Sequence, residues 1–323
     1  MFSQSAVCRT AVLFAAILLI SAARGFFRMP DTGMPVIVFT FLTSALLTGV
    51  APFSRRAGTA VILALYASAA QFLTAVTAVM PLLQIITSAV FAFFTFSTLS
   101  DRRAGCIVMI TGYLALSAQP GFLPAAGRCM DIFAGVIIIA AVTSFPGMKN
   151  GENITVFRQT SGVQWYRNIL LAAELAAGNL LAQLLQLKQG VWVMLTILFI
   201  SMSETTPESG KRLAVQRAAA VPAGIIAGGF LLETFCSIDY RFVYLVPVLG
   251  AAGFFILYNY GDFFIFSIVF MLTLTVFSDW MSGTYQPFHF KDTFISRSLS
   301  TLLGALLVIA APPYPDHDAM ETV

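Results

Sequence analysis

Long apolar runs separated by short polar breaks recur along this chain, at residues 7–24, 33–51, 57–76, 80–99, 104–119 and 131–147, then at 168–187, 190–203, 213–236, 242–260, 262–280 and 294–312. A hydrocarbon core about 30 Å thick takes roughly 20 apolar residues per helical crossing, so these runs read as membrane-spanning segments. Lipid leaves no partner for an open backbone, and the apolar-polar alternation of a membrane barrel is absent. The pattern predicts an all-α, polytopic membrane protein of about twelve transmembrane helices. The first run follows Arg9 and ends in small residues, as a cleaved signal peptide does; an internal repeat favours reading it as a retained helix.

The repeat appears when the chain is divided at its clearest polar break, residues 149–167. Gly33-Met34-Pro35-Val36-Ile37-Val38 aligns with Gly190-Val191-Trp192-Val193-Met194-Leu195, which brings Ser44 onto Ser201 and Arg55 onto Arg212. Arg9 and Arg167 each open the first helix of a half, and Pro81 and Pro247 each start the fourth. At the last helix, Arg128 followed by Gly135 is mirrored by Arg297 followed by Gly304. Residues 1–148 and 168–312 are therefore expected to be two six-helix halves joined by a cytoplasmic linker, 149–167, with 313–323 a disordered tail. Six crossings per half make the repeats parallel, related by an axis along the membrane normal.

Composition changes the picture little. Of 323 residues 58% are hydrophobic and 10% charged, and the mean hydropathy is +0.86, far from the balance of a soluble domain. The net charge of +3 is scattered over the loops, so it points neither to nucleic acid nor to an acidic partner. It reads instead as topology. An N-terminus inside puts eleven of the eighteen Lys and Arg residues on the cytoplasmic side and seven outside, which favours both termini in the cytoplasm. Cys8, Cys106, Cys129 and Cys236 have no metal-ligand spacing, and neither a disulfide nor a metal site is expected.

Candidate chemistry lies in the few polar residues within apolar runs, because a charge at mid-bilayer costs at least about 2.5–3.5 kcal/mol. Glu174 stands one to two turns inside its segment, with Asn179 and Gln183 further along. It is a candidate proton-coupling group; pairing with Arg217 or facing a wet vestibule is the plainer alternative. Arg217 and Gly224 share a helical face, Pro222 frees a carbonyl, and Gly224 with Gly228 forms a small-xxx-small surface. Such a helix can line a pathway with an anion-attracting Arg at its mouth, or simply anchor and pack. Asp262, in Asn259-Tyr260-Gly261-Asp262, is a further pathway candidate that can equally cap a helix. Gln71 and Gln84 suit interhelical hydrogen bonds. Phe91, Phe93, Phe94 and Phe96, and Phe254, Phe255, Tyr258 and Tyr260, can stack on a solute or pack in the core, while Trp165, Trp280 and Tyr285 lie where interfacial anchors sit. With His289 and His317 outside the runs and no phosphate loop or nucleophile elbow, neither an enzyme nor a cofactor is expected.

The Arg-x6-Gly step at Arg217 and Gly224 after the basic loop, its recurrence at Arg297 and Gly304, and the six-helix halves resemble the fusaric acid resistance and aromatic acid exporter superfamily of bacterial inner-membrane proteins. That resemblance implies export of aromatic carboxylic acids and other toxic organics, often with a periplasmic adaptor of the membrane-fusion type. Plant aluminium-activated malate channels are similar at a distance, which implies anion conduction as the alternative. The chain departs from the larger exporters in lacking a sizeable cytoplasmic helical domain, and its first half has Leu63 seven positions after Arg56 where the step would place Gly. The expectation is a secondary exporter of small organic anions in the inner membrane. Glu174 would couple protons, Arg217 and Arg297 would attract anionic charge, and Gly135, Gly224, Gly228 and Gly304 would pack helices, within one chain or in a homo-oligomer. A passive anion channel and a non-transporting scaffold are the rivals.

Overall fold

The structure is a computed structural model that describes residues 33–47, 53–117, 120–143, 162–203, 207–238 and 290–312. These residues form α1 (Gly33–Leu47), α2 (Phe53–Thr77), α3 (Pro81–Thr98), α4 (Arg102–Tyr113) with a 3-10 turn at Leu114–Ser117, α5 (Phe122–Thr143), α6 (Gly162–Leu184), α7 (Val191–Ser203), α8 (Pro207–Ile238) and α9 (Phe290–Ala310). The described part is all helical, as expected. The expected segments at 7–24, 242–260 and 262–280, together with Asp262, both histidines, the second aromatic cluster and the tail, lie outside the described residues.

Several helices start ahead of the hydropathy pattern, and tertiary contacts accompany two of these early starts. The run expected at 131–147 belongs to a helix that starts at Phe122, after Gly121 at φ 122°, a left-handed conformation open to glycine. Arg128 is therefore no loop cation: it lies inside α5 and is 1% exposed. Likewise α6 starts at Gly162, within the expected linker. Trp165 stacks edge-on against Phe93, and Asn168 Nδ2 donates to the Phe96 carbonyl at 2.9 Å. Polar side chains with partners on α3 thus extend α6 beyond its apolar run.

Position in the bundle follows from the distribution of apolar residues. A helix apolar on every side belongs in the interior; in α7 every residue from 191 to 200 is buried, and in α4 every residue from 104 to 113. These two helices pack on each other at the centre. Around them α5 lies against α1 and α2, α3 against α6, and α9 against α7 and α8. The outer helices expose further apolar stripes, Leu83, Ile86, Val90 and Phe94 on α3 and Ile295, Leu299, Leu302 and Leu306 on α9, at the i, i+3, i+4 spacing of one helical face. Soluble proteins rarely expose contiguous apolar surface of this kind. Ser54–Thr77, Pro81–Thr98 and Phe122–Ala141 are long and apolar enough to cross a membrane, and Val191–Met202 and Ile295–Ala310 are shorter apolar helices. Stripes and lengths together fit a lipid surrounding.

Small residues set the closest approaches. A Cβ on Gly112 would stand 2.7 Å from Ala70 Cβ, so α4 touches α2 there. Gly304 lies at another such approach: a Cβ there would stand 2.6 Å from the Val193 carbonyl oxygen of α7. Gly135 is buried in α5, and Gly224 and Gly228 lie within α8, which runs through Pro222 as one helix. The 32 residues of α8 span about 48 Å, more than the hydrocarbon core.

Asp101 caps α4, its carboxylate accepting from Arg103 N at 2.8 Å. Asp101→Ala should lower stability by about 1 kcal/mol, read as a lower melting temperature of the detergent-solubilised protein with unchanged helicity. An unchanged melting temperature would show that the cap contributes nothing.

Candidate polar pathway

One end of the bundle gathers Gln84, Asn179, Ser296, Arg297 and Ser300 among its buried polar side chains. It carries the tight α2–α3 turn and the α6–α7 turn, and the starts of α5 and α9 join it. Gly121 N approaches the Ala75 carbonyl at 3.5 Å, and Gln189 N donates to Ser296 Oγ at 3.1 Å. The opposite end carries the starts of α2, α6 and α8; there Arg56 Nη1 donates to the Thr143 carbonyl.

The α6–α7 turn is shaped by the way α6 stops. Gln186 N donates to the Gln183 carbonyl and Leu187 N to that of Ala182, with Gln186 at φ 48°. This is the Schellman pattern, with glutamine in the left-handed position that glycine usually takes. The chain then presents Gln189 to α9: its carbonyl accepts from Ser300 Oγ at 3.1 Å, and its Oε1 accepts from Arg297 Nε at 2.6 Å. The Arg297 guanidinium also lies 4.9 Å from the centre of the Trp192 ring.

Seven residues along α7, Arg217 of α8 repeats the arrangement, its guanidinium 4.6 Å from the centre of the Phe199 ring. Trp192 and Phe199 are two turns apart, hence on one face and about 10.5 Å apart along the axis. That face is closed by α8 and α9. Arg217 is 5% exposed and Arg297 3%. Cations this deep are costly unless paired or stacked on aromatic faces, and here two are held in register along one central helix.

A third buried arginine, Arg128, is held at the α2–α5 seam. Gln71, with its carboxamide oriented by its neighbours, donates from Nε2 to the Thr111 carbonyl at 2.6 Å and accepts at Oε1 from Arg128 Nε at 2.8 Å. Beside it, Cys129 Sγ donates to the Ser68 carbonyl at 3.3 Å. The interhelical bonding expected of Gln71 is present, and Gln84 makes such bonds as well.

The remaining candidates separate. Asn179 joins Gln84 of α3 and Gln183 of its own helix in a carboxamide cluster, with Asn179 Nδ2 donating to Gln84 Oε1 at 2.8 Å. Glu174 is 7% exposed and stands about three turns inside α6, deeper than the apolar run suggested, because the helix begins earlier. One turn on, Gly178 faces Val193 and Ile197 of α7. The antiparallel register sets Glu174 level with the second half of α7, on a face roughly 130° round from the one bearing Phe199. Glu174 and Arg217 therefore meet α7 on different sides. Sequence reasoning missed Gln189, Trp192 and Phe199 as partners of the arginines: residues that stack or bond across helices carry no signal in their own neighbourhood.

Residues 175–311 match the family model described as fusaric acid resistance protein-like, in support of the resemblance read from the sequence. The match begins one residue after Glu174 and includes Arg217, Arg297 and Gly304. No curated protein and no solved structure matches the chain.

Proposed function

From the match to the fusaric acid resistance protein-like family, which points to membrane transport or resistance rather than catalysis, we propose that the protein is a secondary exporter of small organic anions, aromatic carboxylates in particular, acting across the bacterial inner membrane. The observation that carries this reading is the pair of arginines stacked on Trp192 and Phe199 of α7. A carboxylate entering that seam meets planar donors suited to bidentate binding, and its aryl group meets rings that already take part in stacking. Two such positions about 10.5 Å apart along the helix give an anion a step between them, with Arg217 nearer the end that starts α8 and Arg297 at the far end.

Glu174, buried in α6, is the group we assign to proton coupling, since a carboxyl within an apolar run can pass between a neutral and a charged form as a proton arrives or leaves. The neighbour pattern, α5 on α1 and α2 and α9 on α7 and α8, supports two six-helix halves, because α7, α8 and α9 are the sequence counterparts of α1, α2 and α5. Both termini in the cytoplasm, a periplasmic adaptor of the membrane-fusion type and a homo-oligomer complete the proposal.

Everted membrane vesicles test it. Labelled benzoate should accumulate when the vesicle interior is acid and much less without the gradient, and Glu174→Gln should abolish the gradient-driven part. Uptake indifferent to both would replace the exporter with a passive anion channel. No uptake above vesicles lacking the protein would leave a scaffold.

A further inference from the structure

The carboxamide of Gln84 is satisfied on one side only. Its Oε1 accepts from Asn179 Nδ2 at 2.8 Å and from Gln183 Nε2 at 3.0 Å, and Gln183 Nε2 also donates to Asn179 Oδ1 at 3.1 Å. Its Nε2, on a side chain 1% exposed, has no acceptor among the described residues. Turning this amide over alone would set its N–H groups against two other N–H donors; in the arrangement the three carboxamides share, the open donor is Gln84 Nε2. A buried amide left without an acceptor forfeits its hydration, and native proteins keep few such groups. Gln84 stands one turn into α3, behind Pro81, against the last two turns of α6. This is the same end of the bundle at which Arg297 is held.

We propose that the α3–α6 seam at this end is a binding subsite for the carboxylate or carbonyl oxygen of an organic acid, with Gln84 Nε2 as the donor and Asn179 and Gln183 as positioning residues. The subsite rests on the transport reading for its role. Three neutral carboxamides hold an anion by dipoles alone, more weakly than a guanidinium does. A site passed during transport must release its occupant as readily as it binds it, and a cluster without net charge at the mouth beyond the arginines meets that need.

Two substitutions separate binding from architecture. Gln84→Glu keeps an acceptor for Asn179 and Gln183 but replaces the amide donor with an anionic oxygen. Gln84→Met removes both functions at similar length. Equilibrium binding of labelled benzoate to the full chain in lipid nanodiscs, at neutral pH, should weaken about tenfold or more in both variants. Gln183→Met, which leaves the Gln84 amide in place, should weaken it less. If either Gln84 variant is well folded by size exclusion and binds benzoate within about twofold of the wild type, or the wild type binds none, the subsite is overturned and the amide serves a buried water molecule only. Benzoate flux in proteoliposomes that ignores Gln84 would sink the subsite and leave the exporter standing. Binding that depends on Gln84 without any flux would do the reverse.

Discussion

Gly304→Ala is expected to be among the most damaging single-atom additions to the described bundle. The new Cβ would lie 2.6 Å from the Val193 carbonyl oxygen and 2.8 Å from Thr196 Cβ. The first of these is backbone in the first turn of a helix buried on every side, so the contact cannot be relieved by a side-chain rotation. Either α9 moves off α7 or the collision stays. Overpacking of this sort costs about 1–3 kcal/mol, and here it would also shift the helix that holds Arg297. Gly58 on α2 is the matched comparison, because nothing lies within 4 Å of a Cβ built there. Gly58→Ala should gain about 0.5–1 kcal/mol from the smaller entropy loss of alanine in a helix. Melting curves of the solubilised variants should move in opposite directions. A Gly304→Ala protein as stable as the wild type would mean that α9 and α7 do not touch there.

The second large effect is on transport rather than stability. Arg297→Met should cut benzoate flux by about tenfold or more, because a charge-assisted hydrogen bond contributes roughly 1.5–3 kcal/mol. The same change leaves Gln189 Oε1 without its donor, which costs about 1–3 kcal/mol, so flux is compared at equal amounts of folded protein. Flux per folded molecule should still fall, a loss that a residue serving only to pack would not give. Arg297→Lys should rescue only in part, since an ammonium keeps the charge but loses the planar fork that stacks on Trp192 and bonds Gln189 through Nε. Wild-type flux in Arg297→Met would remove this residue from the pathway. Flux that falls only as far as the folded fraction does would make it structural.

Gly33 and Gly190 show what local pattern can reveal. Each opens or immediately precedes an apolar helix, α1 and α7, and both helices start within a residue of where the hydropathy pattern places them. Arg128 shows the reverse. It reads as one more loop cation because it stands before the apolar run at 131–147, yet Gln71, fifty-seven positions earlier in the chain, makes its burial tolerable. Hydropathy scores a residue by its own chemistry, whereas burial depends on whether a partner waits across the seam. The arginines at 217 and 297 were legible as candidates, since an ionisable group in an apolar run stands out. Their aromatic and carboxamide partners were not, for Trp192, Phe199 and Gln189 look ordinary where they stand.

The sequence by itself determined that this is a chain of apolar helices suited to a membrane with its polar residues rationed, that its second half resembles the fusaric acid resistance protein-like family, and which few charged residues stand within apolar runs. Apolar run length and the need to close every backbone hydrogen bond within lipid fix those features locally. Only the tertiary structure decided that α4 and α7 take the centre, that Arg217 and Arg297 meet one face of α7 while Glu174 meets another, and that Gln84 keeps an open donor between α3 and α6. Those outcomes depend on which helices pack together and in what register, and contacts between residues a hundred positions apart leave no trace in either segment alone.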